Sequence, residues 1–313
     1  TTIYASSYNV LLISTLFIGI GNGCTEAACN PMIADSYSGN EFHSKLNKFH
    51  MWFPGGIVLG SLISKFMTDA AFHWQAQIWI IMIPTIIYAI MFWGQAFPQP
   101  KADASSPLAS FKAMLNPLYL FMAACMALTA ISEFGPQQWV GPILAKAGAS
   151  PMLILALVTG LMAVGRYFAG PLVEKLNTAG VLLGSAVFGL IGIYMLSTMS
   201  GNMLYVAAIF YALGICYFWP NMLGYVGQHL PQTGALGLSI MGGIGMFSSS
   251  MFQPIIGGWI KDNKTAAEAT GLVGDAADLA AGQATLSNML IFPGILIVAF
   301  ALLYFTGKKK QAA

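Results

Sequence analysis

Apolar runs of bilayer length recur along this chain, and no other feature limits its fold so strongly. A helix needs about 20 mostly apolar residues to cross a membrane. Nine stretches meet that test, near 9–29, 50–68, 76–97, 117–140, 151–172, 180–199, 203–226, 235–257 and 285–306. Backbone polar groups cannot stay unpaired in lipid, so a spanning segment is a helix or part of a closed barrel. A barrel needs ten-residue strands of alternating polarity, and this sequence has none. Composition agrees: 8% of residues are charged, against about 25% in soluble domains. The expected fold class is therefore an all-α polytopic membrane protein, a helical bundle with the lipid bilayer as its partner. The net charge of +2 argues against a nucleic-acid partner. The four cysteines form no CxxC pair, so neither a disulfide framework nor a zinc site is expected.

Two connections are long. Residues 98–116 are polar and Pro-rich and read as a linker between two bundles. Residues 258–284 are Ala-rich and mildly acidic, and a short surface helix or a plain loop fits them equally. Counting Lys and Arg in loops puts nine of the 13 on the side that holds the linker and the C-terminus. By the positive-inside rule that side is the cytoplasm. The expected location is a bacterial inner membrane, multi-pass, with a cytoplasmic C-terminus. A faint repeat supports a plan of two six-helix bundles: Pro31 and Pro220, and Gly55 and Gly242, recur at nearly the same offset. Parallel six-helix repeats are a known transporter plan. Nine helices then read as three plus six, with three absent from the front. The expected division is 1–97, the linker 98–116, and 117–313.

The polar residues inside the apolar runs carry the chemistry. Asn22, Glu26 and Asn30 in "GNGCTEAACNP" are four apart and share a helix face. An ionised acid at a helix centre costs about 2.5–3.5 kcal/mol on insertion scales. That face must look into protein or a wet cavity, either as a solute or proton site or as a hydrogen-bond node between helices. His50 opens the second run just inside the membrane, where it could relay protons, bond to solute or sit at the interface. No second His or Cys stands at metal-ligand spacing, and no cofactor motif is present.

The fourth run ends "ISEFGPQQWVGP". Glu133 and Gln137 flank Gly135-Pro136, and proline breaks a helical ladder and frees carbonyls. Gln137, Gln138 and Trp139 set two amides beside an indole. Amides bond hydroxyls in both directions, and an aromatic face covers the C–H face of a sugar ring. The competing reading is a helix end at the interface, where Trp is enriched. In the seventh run Tyr217, Trp219 and Asn221 gather around Pro220. Arg166, in "GRYFAGPLVEKL", reads as a gating or anchoring charge at a cytoplasmic turn. The Gly- and Ser-rich eighth run reads as helix packing. No GxxxxGK[ST], GxSxG or HExxH occurs, so no enzyme class is indicated.

"GNGCTEAACNP" followed by "LNKFH" resembles the fourth and fifth helices of the fucose–proton symporter family, within the major facilitator superfamily. The Gly-Arg pair at 165–166 and the Gly-rich penultimate helix fit more loosely. The resemblance spans the chain as helices four to twelve. It implies that Glu26 lies in a central cavity and contributes to sugar binding and proton coupling. His50 stands where the family has an amide, and Phe53 where it has a second. It further implies alternating access: Glu26 takes a proton, a monosaccharide or related hydroxylated solute enters, and two halves rock about a midplane site. Nucleosides, peptides or drugs are alternative solutes, sodium is the alternative ion, and a non-transporting sensor is the alternative role. The molecule is expected to act as a monomer.

Overall fold

A computed structural model describes residues 2–97, 106–145 and 150–312. All regular structure among them is helical. The chain begins with α1 (Tyr8–Ser36), α2 (Gly39–His50), α3 (Trp52–Asp69), α4 (Trp74–Trp79) and α5 (Met82–Phe92). There follow α6 (Pro107–Met114), α7 (Pro117–Ala145), α8 (Pro151–Tyr167), α9 (Ala169–Thr198), α10 (Met203–Ile215) and α11 (Phe218–His229). It closes with α12 (Gly234–Ala269), α13 (Asp275–Asn288) and α14 (Ile291–Ala312). Among the described residues, seven helical stretches are long and apolar enough to cross a membrane.

Several helix bounds depart from the expected runs, each for a physical reason. The run expected at 50–68 is preceded by α2, and only Met51 separates α2 from α3. Hydropathy underestimates this helix because its polar residues face protein: His43, Asn47 and His50 are all buried. A similar joint links α8 to α9 through Phe168, and α9 itself kinks at Asn177. Asn177 sits at φ 54, ψ 169, outside the left-handed helical well that asparagine favours, and its Oδ1 caps the second leg by accepting from Gly180 N at 3.0 Å. The two jointed helices pair antiparallel along their length, since Gly170 faces Ser44, Gly55 faces Ala163 and Gly160 faces Val58.

The stretch 258–284 is mostly helix and not a loop. It is shared between α12 and α13, with the break at Gly271 and Gly274, both at positive φ. Of the expected linker, residues 98–105 lie outside the described residues, as do Lys101 and Lys146. The remainder forms α6, whose N-cap Ser106 accepts from Ala109 N at 3.3 Å. Helix α7 runs unbroken through Pro136, contrary to the expected interruption. The break near Pro220 exists but lies at Cys216–Tyr217, between α10 and α11. Pro220 itself stands in the first turn of α11, where a missing N–H costs nothing.

The buried apolar core runs through α7 and α9–α12. The helices α1 and α5 leave Leu16, Phe17, Ile90 and Met91 exposed, which suits lipid or a further helix. Helix α1 lies against α12, and the α2–α3 pair lies against α8, α9 and α11. The polar centre forms where these meet.

Candidate functional site

Depth along the helices brings the expected residues to one level. At 1.5 Å per residue, Glu26 is about 15 Å from the Ser36 end of α1. His50 is about 17 Å from the start of α2, and Arg166 is about 17 Å from the kink at Asn177. These are half of a hydrocarbon core about 30 Å thick. His50 is thus not an edge residue. Arg166 is not a surface charge either: it lies in the last turn of α8, just before the joint at Phe168, and is 1% exposed.

Two prolines explain why an arginine can be buried there. A helical carbonyl normally accepts from the N–H four residues on, and proline has none. Pro54 therefore frees the His50 carbonyl, and Pro220 frees that of Cys216. Arg166 fills both, donating from Nη1 to His50 O at 3.0 Å and from Nε to Cys216 O at 2.7 Å. Its Nη2 meets Glu133 Oε1 at 3.3 Å in a fully buried ion pair. Pro136 likewise frees the Ser132 carbonyl, and the Tyr211 hydroxyl donates there at 3.3 Å and to Glu133 O at 2.6 Å. The proline signal marks carbonyls handed to side chains, even where the helix runs on.

Helix α1 supplies a hydrogen-bonded chain to this centre. His50 Nε2 donates to Asn30 Oδ1 at 3.0 Å, and Asn30 Nδ2 donates to Glu26 Oε2 at 3.5 Å. Asn22, one turn further from this chain, is exposed and makes no contact with it. The Trp219 indole is buried against α12, where a Cβ at Gly245 would stand 2.8 Å from its Cζ3. Glu26, His50, Glu133, Arg166 and Trp219 together line a cavity of about 10 Å³.

A second cavity of about 680 Å³ opens at the end away from α6, lined among others by Gln137, Gln138, Ser249, Ser250 and Gln253. Phe53, Phe134 and Met246 border both cavities. Their aromatic rings continue to Trp219 in edge-to-face steps, 6.5 Å from Phe53 to Phe134 and 5.8 Å from Phe134 to Trp219. The volume suits a small organic solute, with amides and hydroxyls on one wall and aromatic faces on its floor. The opposite end is shut by α2 against α11. His43 Nε2 donates to Gln228 Oε1 at 2.7 Å, and Asn47 Nδ2 to Asn221 Oδ1 at 3.4 Å.

A family profile described as Major Facilitator Superfamily matches residues 1–254. The chain belongs to the Major Facilitator Superfamily. Two crystal structures of the E. coli fucose:proton symporter share its fold. One is of a variant and the other is of the outward conformation, each with a TM-score of 0.63 at 16% identity, covering 94% of this chain and 78% of theirs. An agnestins efflux protein of Paecilomyces divaricatus is 24% identical over 234 residues, 63% of this chain. The chain spans 54% of the length of that curated relative. As a superfamily member it is a multi-pass membrane protein.

Within this superfamily fold the expected site residues divide into three groups. Glu26, Asn30, His50, Glu133, Arg166 and Trp219 meet at mid-depth. Gln137 and Gln138 line the larger cavity. Trp139, Tyr217 and Asn221 are held elsewhere. Trp139 Nε1 donates to Gln253 Oε1 at 2.8 Å, Tyr217 to Gly165 O at 3.1 Å, and Asn221 takes part in the closed end. Sequence reasoning missed Gln253, Ser249 and Ser250 on the cavity wall. Their signal was the polar content of the Gly-rich eighth run, which reads as packing until α12 is seen to border the cavity.

Proposed function

We propose that this protein is a proton-coupled symporter of a monosaccharide or related hydroxylated solute, working by alternating access. The observation that carries this reading is vertical order: a largely apolar cavity, with three glutamine amides and two serine hydroxyls set in its wall, stands over a carboxylate–histidine chain, and α2 packs against α11 at the far end. Solute would enter past Gln137, Gln138 and Gln253, stack on Phe53 or Phe134, and reach the level of Glu26. Glu26, Asn30 and His50 form the proton and solute relay. We place the α6 end in the cytoplasm of a bacterial inner membrane, so the described conformation faces outward. Residues 1–97 and 117–313 are the halves that would rock about the centre, with α2 leaving α11 as the cytoplasmic side opens.

Efflux is the second reading, favoured by the name of the Paecilomyces relative. Amides against aromatics favour a hydroxylated solute over a larger apolar one. Vesicle uptake of radiolabelled fucose, glucose, galactose and N-acetylglucosamine, with and without an imposed proton gradient, separates the readings. Gradient-stimulated accumulation of at least one sugar is expected. Failure of every sugar to accumulate would remove the symport assignment and favour efflux.

A further inference from the structure

Two carboxylates share one cation at the centre. Glu26 from α1, Glu133 from α7 and Arg166 from α8 line the same small cavity. Arg166 binds only one oxygen of Glu133, Oε1. The other, Oε2, is buried without a hydrogen-bond partner among the described residues. Leaving a buried acceptor unsatisfied costs about 1–3 kcal/mol, and more for a charged one.

The groups facing Glu133 supply no further donor. Tyr211 of α10 already donates to the Ser132 and Glu133 carbonyls. Cys216 donates to Met162 O and Tyr217 to Gly165 O. His50 is bonded to Asn30. Helix α12 presents Met246 to the cavity, which is uncharged. With both acids ionised the centre therefore carries one net negative charge, and an uncompensated charge in a membrane interior is expensive. One proton restores neutrality. It can sit on Glu133 Oε2 while Oε1 keeps its bond to Arg166. A cavity of about 10 Å³ is of the order needed for one water, which wants two to four polar partners. The Glu26 carboxylate, Glu133 Oε2 and the Trp219 indole N–H provide them. The indole N–H has no partner among the described residues at hydrogen-bond geometry.

We propose that Glu133 is a second proton carrier, sharing one proton with Glu26 through a single water, with Arg166 as their common counter-charge. The proposal rests on the proton-coupled reading above. The exchange conserves charge: the Glu26 acid gives its proton to the water as that water gives one of its own to Glu133 Oε2. Glu26 is left as the carboxylate. The proton thereby passes from α1 to α7, between elements that belong to different halves. It can do so only while α1 packs against α12 and both acids line one cavity, as they do here.

Infrared spectroscopy of the purified full chain tests this through the C=O stretch of protonated carboxyls, in H2O and D2O at neutral pH. Background is set by the Glu26→Gln/Glu133→Gln double variant. Wild type should show one acid band above that background. Glu26→Gln and Glu133→Gln should each lose it, because the remaining carboxylate then balances Arg166 unprotonated. Arg166→Gln should roughly double it. If Glu133→Gln keeps the wild-type band, Glu26 alone carries the proton and the proposal fails while the symport reading stands. If wild type shows no band, the proposal fails, and gradient-driven uptake decides the symport reading separately. Should Arg166→Gln not fold, the two Glu variants still decide the matter.

Discussion

At the scale of single residues, Glu26 and Arg166 do different work. Glu26 is half-buried, and its one direct hydrogen bond among the described residues is a long one, 3.5 Å, from Asn30, with the Trp219 indole close by, so it can lose its charge at little structural cost. In the proposed cycle Glu26→Gln abolishes gradient-driven accumulation but preserves sugar exchange, measured by counterflow in preloaded vesicles. Loss of exchange along with accumulation would mean that Glu26 binds solute and not the coupling proton alone. Arg166 instead holds three acceptors on three helices. Lysine presents a compact point charge and cannot span them. Arg166→Lys should cost about 1.5–3 kcal/mol, the worth of a hydrogen bond to a charged group, read as a lower Tm in detergent. An unchanged Tm would show the three-way bond to be weak. Glu26 was legible in the sequence because a lone acid in an apolar run demands a reason. The depth of Arg166 was not, because "GRYFAGP" looks like a turn, and only the pairing of Gly170 with Ser44 shows that the helix carries on.

At the scale of helices, proline acts less by bending than by releasing carbonyls. Pro54 and Pro220 free the two that anchor Arg166, and of these only Pro220 stood out in the sequence as an expected break. What the sequence did not reveal was the donor that fills the gap, since that donor comes from another helix. Pro54→Ala restores an N–H that competes for the His50 carbonyl. The expected outcome is a slower transport rate with an unchanged or raised Tm, because the α2–α3 ladder closes while Arg166 loses an acceptor. A lower Tm with normal transport would contradict this role. The seal between α2 and α11 depends on Gly224, where a Cβ would stand 2.6 Å from His43 Nδ1. Gly224→Val should pry α2 from α11 and raise the labelling rate of a Gln228→Cys probe by a water-soluble maleimide added from the α6 side. Equal labelling with and without the change would show that this contact does not hold that end shut. His43 and Asn47 escaped sequence reasoning because they lie in a polar stretch, "GNEFHSKLNKFH", that reads as a loop until its buried face is seen.

At the scale of the whole molecule, nearly all the fold class was written in hydropathy: nine runs predicted a bundle, and the described helices form one. The joints at Met51 and Phe168 and the continuous α12 were not, because polar residues facing other helices lower local hydropathy without ending a span. The larger cavity arises only from assembly, with α7, α8, α10 and α12 each contributing to its wall. In the proposed cycle, its order above the carboxylates is what couples solute to a proton. The most direct test is a pH electrode in a weakly buffered suspension of vesicles bearing the protein, to which a transported sugar is added without any imposed gradient. Symport predicts that the medium turns alkaline as protons enter with the sugar, and that the Glu26→Gln variant gives no such change. A medium that stays constant or turns acidic while labelled sugar enters would contradict proton–sugar symport.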